Sequence, residues 1–133
     1  MRRILLAYDG GEPARRALQT AADLALTLGA SLSVVSVAPT GGGHAETASP
    51  EDIAEHAREL QEAKHLLAER GIEAELLEPT GEPASTIERI ADEGDFDTIV
   101  LGSRGLGTIG RMLKGSISEH VVRNAHATVV VIH

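Results

Sequence analysis

A chain of 133 residues, 42% hydrophobic and 24% charged, has the length and composition of one globular domain with a real core, spanning residues 1–133. Its net charge of −8 argues against a nucleic-acid duplex or an anionic membrane as the main partner, although a few backbone amides can still bind a phosphate group. The absence of cysteine excludes disulfides, thiolate metal sites and cysteine nucleophiles.

Residues 3–8 (RILLAY) predict a short strand buried on both faces, as in a parallel sheet. Asp9, Gly10 and Gly11 form a turn, and Pro13 suits the start of a helix that runs to Leu28 and stops at Gly29. Residues 31–37 (SLSVVSV) are the second strand, ended by Pro39. The glycine-rich polar stretch 40–50 has little to bury and predicts a mobile loop. A second helix follows over 51–70, with Ile53, Ala57, Leu60, Ala63 and Leu67 inward. Residues 72–77 give a third strand, and residues 79–83 a turn. Gly-Glu-Pro-Ala occurs at 11–14 and again at 81–84, each time where a strand gives way to a helix. Ala84, Ile87, Ile90 and Ala91 mark the third helix, and residues 98–101 the fourth strand. The acidic stretch 92–97 before that strand reads as a solvated turn at the opposite edge of the sheet. After a glycine-rich connection come a fourth helix at 116–124 and a last strand at 128–132. Five strands alternating with four helices predict an α/β fold with an open, doubly wound parallel sheet. Ligands of such folds bind beyond the carboxyl ends of the strands, where strand order reverses.

The connection between the fourth strand and the fourth helix carries the strongest chemical signal. Its glycines are spaced Gly102-x2-Gly105-x9-Gly115-Ser116, and Ser116 to Glu119 fits a helix-capping box. Bare glycine backbone leading into a helix N-terminus is suited to phosphate. Arg104, Arg111 and Lys114 add positive charge. The dinucleotide fingerprint also matches at Gly105, Gly107 and Gly110, but no acidic residue follows at the distance it requires. A P-loop is excluded because serine, not lysine, follows Gly115. Asp9, at the end of the first strand, can cap its own turn or accept a hydrogen bond from a ligand. The six histidines have no metal-ligand spacing, and His56 and His65 fall on the polar side of the second helix, so all six read as surface or loop residues. Tyr8 and Phe96 are the only aromatic residues, which leaves no platform for single-stranded nucleic acid and places any bound base between aliphatic side chains. The last strand, apolar over 127–132 apart from Thr128, would be a template for a second copy if it lies at a sheet edge.

Together these segments resemble the universal stress protein family, of the single-domain UspA-like, ATP-binding type. The likeness spans RILLAYDGGEPARRAL, SVVSVAP, GEPASTI, DTIVLGSRGLG and KGSISEHVVRNA. It implies a five-stranded sheet in the order 3-2-1-4-5, of the adenine nucleotide alpha hydrolase-like fold, binding ATP and Mg²⁺. On that resemblance the backbone from Ala7 through Tyr8 to Asp9, with Val37, holds the adenosine. Leu101, Gly102, Arg104 and Gly105 flank the ribose and phosphates, and Gly115, Ser116 and Ile117 hold the phosphates. It also implies a homodimer through Thr128 to Ile132. Two positions depart from the family's pattern: Gly11 stands where serine is common, and Ala127-Thr128-Val129 where a proline usually precedes the final valines.

The resulting expectation is a cytoplasmic, nucleotide-dependent stress-response protein with a further protein partner. The opening apolar run is broken by Asp9 and reads as neither signal peptide nor membrane span. No catalytic base is identified, so slow ATP hydrolysis or self-phosphorylation, with a loop serine as acceptor, is the enzymatic alternative. A dimeric interaction module without nucleotide is the other.

Overall fold

Ile4, Leu5 and Leu6 are consecutive and all fully buried, so the first strand, β1 (Arg3–Ala7), has no solvent face. A strand of this kind needs a layer of helices on each side. The computed structural model, which describes residues 1–39, 49–103 and 116–133, supplies both layers. In chain order, α1 (Glu12–Leu28), β2 (Ser31–Val35) and the two-residue β3 (Ala38–Pro39) follow β1. Next come α2 (Pro50–Ala68), β4 (Glu75–Leu77), the equally short β5 (Thr80–Gly81) and α3 (Pro83–Glu93). The chain ends with β6 (Thr98–Gly102), α4 (Ser116–Asn124) and β7 (Thr128–Ile132).

Five strands form a parallel sheet in the order β4-β2-β1-β6-β7, which is the expected 3-2-1-4-5 once β3 and β5 are set aside. Those two form a separate parallel ribbon, pairing Ala38 with Thr80 and Pro39 with Gly81. Ile4 is in register with Leu32 on one side and Thr98 on the other, and Thr98 with Thr128 beyond. Burial follows this order. Every residue of β6 is buried, whereas β7 and β4, at the two edges, are half-buried.

The two sheet faces carry separate cores. On one, Ile4, Leu6, Val34 and Val100 pack against the alanine-rich face of α1 and against Leu60, Ala63 and Leu67 of α2. On the other, Leu5, Val35, Ile99 and Leu101 pack against Ala84, Ile87 and Ala91 of α3 and Val121 of α4. Alanines let α1 sit close to the sheet, while the bulk comes from the strands.

The repeated Gly-Glu-Pro-Ala starts a helix both times, by different chemistry. At the first copy Gly11 is the N-cap and no side chain caps the helix. At the second, the Glu82 carboxylate is the cap, accepting from Ala84 N at 3.2 Å and Ser85 N at 3.0 Å. The acidic stretch 92–97 lies at the edge opposite the carboxyl ends, as expected, but it is more than a solvated turn. Phe96 is buried beneath the Arg3 guanidinium, 4.4 Å from its ring centre. Asp97 accepts from Arg2 N at 2.7 Å and Thr98 Oγ1 at 2.9 Å, fastening the start of the chain to β6. Among the described residues no helix is long and apolar enough to cross a membrane.

Candidate functional site

Strand order reverses between β1 and β6, because the chain builds outward through β2 and β4 on one side and through β7 on the other. The carboxyl ends of β1, β2 and β6 therefore diverge under separate helices, and a gap opens between them. A cleft of about 390 Å³, open to solvent, lies there. Seven of the sequence-predicted residues line it: Ala7, Tyr8 and Asp9 from the end of β1, Val37 after β2, Leu101 and Gly102 from β6, and Ile117 from α4.

Arg104, Gly105 and Gly115 lie outside the described residues, as do Arg111, Lys114 and the 40–48 part of the expected mobile loop. Ser116 opens α4, but its side chain, and with it the expected capping box, is also outside them. Sequence reasoning missed Ala14, Val35, Pro83 and Ile87, which complete the lining. The signal for two of them was available: Ala14 and Pro83 belong to the two Gly-Glu-Pro-Ala copies, one on each side of the cleft.

The cleft is walled mostly by aliphatic groups, with Val35, Val37, Ile87, Leu101 and Ile117 on the α3–α4 side of the sheet. Its width depends on Gly102. A Cβ there would stand 2.8 Å from Pro13 Cβ and 3.1 Å from Ala14 N, so only glycine lets β6 end against the first turn of α1. Ser118 Oγ donates to Ser103 O at 3.2 Å, tying the first turn of α4 to the same strand end.

Asp9 is the acidic group at this rim. Gly11 N donates to its Oδ1 at 2.9 Å, the turn-capping role expected of it. Burial pushes its carboxyl above the usual range; the Gly11 hydrogen bond pulls it back and the nearby Glu59 carboxylate pushes it up again. A carboxylate offers about four lone-pair directions, so an acceptor remains for a ligand hydroxyl or amine.

On the opposite sheet face two polar groups hang from the strand ends. The Tyr8 hydroxyl donates to Glu62 Oε1 in a short contact, and Arg15 Nη2 reaches Glu62 Oε2 at 3.4 Å, joining β1, α1 and α2. Burial foremost, then Glu62, holds the Tyr8 phenol well above its ordinary value. The second group corrects the sequence reading of α2. His56 is only 8% exposed, while Ile53, expected inward, is 40% exposed. The inward stripe is His56, Leu60, Ala63 and Leu67. Its reason is Ser36: this buried hydroxyl sits under α2 and needs a polar partner. His56 Nδ1 meets it at 2.6 Å. Among the described residues no group of three or more His, Asp or Glu is placed to hold a metal ion.

The family model described as the universal stress protein family matches residues 1–133. The chain belongs to the universal stress protein family. A universal stress protein of Thermus aquaticus is 36% identical, with 97% of this chain and 96% of that protein aligned. Universal stress protein YxiE of Bacillus subtilis is 31% identical over 98% of this chain and 97% of its own length. Among solved structures, the universal stress protein from Archaeoglobus fulgidus in complex with dAMP is 30% identical. It superposes with a TM-score of 0.81, covering 100% of this chain and 98% of that one. The resemblance carried by the strand-end and glycine motifs is thus a family relationship over the full sequence.

Proposed function

We propose that the cleft binds an adenine nucleotide, ATP in particular, and that occupancy of the cleft governs this protein's part in a stress response. The observation that carries the reading is the convergence of Ala7, Asp9, Val37, Gly102 and Ile117, from four separate segments, on one cleft at the reversal of strand order. The dAMP complex of the Archaeoglobus fulgidus relative supports the same ligand class.

The base lies between aliphatic walls at Val35, Val37 and Ile87, where burial of its faces supplies most of the affinity. Asp9 accepts from a ribose hydroxyl or an amine. The phosphates face the first turn of α4, whose leading N–H groups have no partner within the helix and carry its positive dipole end. Arg104, Gly105, Gly115 and Ser116 complete the phosphate seat. Mg²⁺, which the family resemblance implies, would accompany the phosphates; among the described residues no group of three or more His, Asp or Glu is placed to hold it.

The test is the thermal midpoint with and without MgATP, for wild type and Gly115→Arg. Ligand at about a hundred times its dissociation constant adds roughly 2.7 kcal/mol to a two-state fold, a shift of several degrees. The expected result is that shift in wild type and none in a folded Gly115→Arg. No shift in wild type at millimolar ATP overturns the reading. Product analysis of the same samples detects any ADP or phosphoprotein.

The half-buried edge strand β7 supports a second part of the proposal, a homodimer through Thr128–Ile132. Sedimentation equilibrium is expected to give twice the chain mass at micromolar concentration, and a monomer there contradicts it.

A further inference from the structure

Ser36, His56 and Glu59 close a polar triangle at the carboxyl end of β2. Ser36 Oγ donates to Glu59 Oε1 at 3.1 Å, and His56 Nδ1 lies 2.6 Å from Ser36 Oγ and 2.9 Å from Glu59 Oε1. A charged His56 donates from Nδ1 inside this triangle, where both Ser36 Oγ and Glu59 Oε1 are within reach.

Glu59 also lies beside the turn that carries Asp9. A Cβ on Gly10 would stand 3.5 Å from Glu59 Cγ and 3.7 Å from Glu59 Oε2, and Gly10 is in the left-handed region at φ +81°. Two carboxylates, Glu59 and Asp9, thus flank one turn at the rim of the cleft, and His56 is the cation that can offset one of them.

We propose that His56 is a positioning residue, acting through Glu59 on the Asp9–Gly11 turn, through which protonation tightens nucleotide binding. This rests on the nucleotide reading of the cleft. With His56 charged, the charge of Glu59 is offset beside Gly10, the turn holds its place, and an anionic ligand meets one uncompensated carboxylate. With His56 neutral it meets two.

The groups around His56 support that direction. On α2 itself Glu59, Glu55 and Asp52 face it; from the β1–α1 turn comes Asp9. Residues 31–39, which include β2 and β3, contain no titratable side chain. From α1, Arg15 is turned to Glu62 and Asp23 to Arg70. The hydrogen bond to Glu59, foremost, holds the imidazole above its ordinary 6.5 against the opposing effect of burial. The stabilising effect of protonation is therefore fully present below about pH 6.5 and is lost as the pH rises through the raised value.

The experiment is calorimetric titration with ATP from pH 6 to pH 8 on wild type, His56→Gln and Ser36→Ala, each first shown to be folded by thermal melting. Glutamine keeps a hydrogen-bonding side chain without the charge; Ser36→Ala loses a hydrogen bond of the triangle but keeps the imidazole and its charge, with Glu59 Oε1 at 2.9 Å still holding the ring. Wild type and Ser36→Ala are expected to gain about threefold more affinity towards pH 6 than His56→Gln, the scale of one screened charge near the ligand. Taking the difference cancels the ligand's own protonation. Should His56→Gln fail to fold, Glu59→Gln removes the carboxylate that His56 offsets and is expected to flatten the profile equally. Parallel profiles in wild type and variant overturn this proposal and leave the nucleotide reading intact. No ATP binding to wild type at any pH overturns both.

Discussion

Gly102→Val is expected to destabilise the protein by about 3 kcal/mol and to abolish nucleotide binding. Valine is among the best strand formers, so nothing in the conformation of β6 itself opposes it. The cost comes from what lies opposite. The first added carbon meets Pro13 Cβ at 2.8 Å, Pro13 C at 3.0 Å and Ala14 N at 3.1 Å, and two of these three atoms are backbone at the start of a 17-residue helix. A flexible side chain could step aside; the first turn of α1 cannot without lifting its alanine face from the sheet. Because Gly102 and Ala14 both line the cleft, the same displacement deforms the ligand's wall. Urea unfolding and ATP titration of the purified variant measure the two effects. A variant within about 0.5 kcal/mol of wild type would mean that β6 and α1 do not approach as closely as described.

Leu67→Ala is expected to cost about 2–5 kcal/mol, a large part of the total stability of an ordinary domain. Leu67 is fully buried, and its carbonyl accepts from Arg70 N at 2.9 Å and Ile72 N at 3.0 Å as the chain leaves α2. Few residues hold α2 down. Apart from Leu67 its buried set is His56, Leu60 and Ala63, so losing one large side chain removes much of the apolar seam. Ile53→Ala is the matched control. Both residues belong to the inward stripe that periodicity suggests, yet Ile53 is exposed and its truncation is expected to fall within about 0.5 kcal/mol of wild type. Equal costs at the two positions, read from urea midpoints, would restore the sequence-based orientation of α2.

That contrast marks where the sequence was legible. Local signals were strong wherever one element's own residues decide its state. α4 and β7 begin and end where capping and apolar pattern put them, at Ser116–Asn124 and Thr128–Ile132. The parallel order followed from alternating strands and helices together with the family resemblance, and seven of the residues it implied meet at one cleft.

What escaped depends on distant partners. His56 is drawn inward by Ser36, twenty residues earlier, and no period in α2 records that need. The ribbon of β3 and β5 exists because Ala38 and Pro39 find Thr80 and Gly81; each half alone is two residues of turn. β4 was expected from Ile72 but begins at Glu75, since only Glu75, Leu76 and Leu77 have partners, at Ser33, Val34 and Val35. Ala14 and Ile87 read as core residues of their helices and reach the cleft only because both helices start at its rim.

The central claim is that a nucleotide occupies the space between the ends of β1, β2 and β6, and backbone amide NMR during titration with ATP tests it most directly. The account predicts shifts concentrated at Ala7, Asp9, Val37, Gly102 and Ile117, saturating together, with the outer face of α2 unmoved. Saturable shifts confined to residues away from the cleft, or none at millimolar ATP, would contradict it.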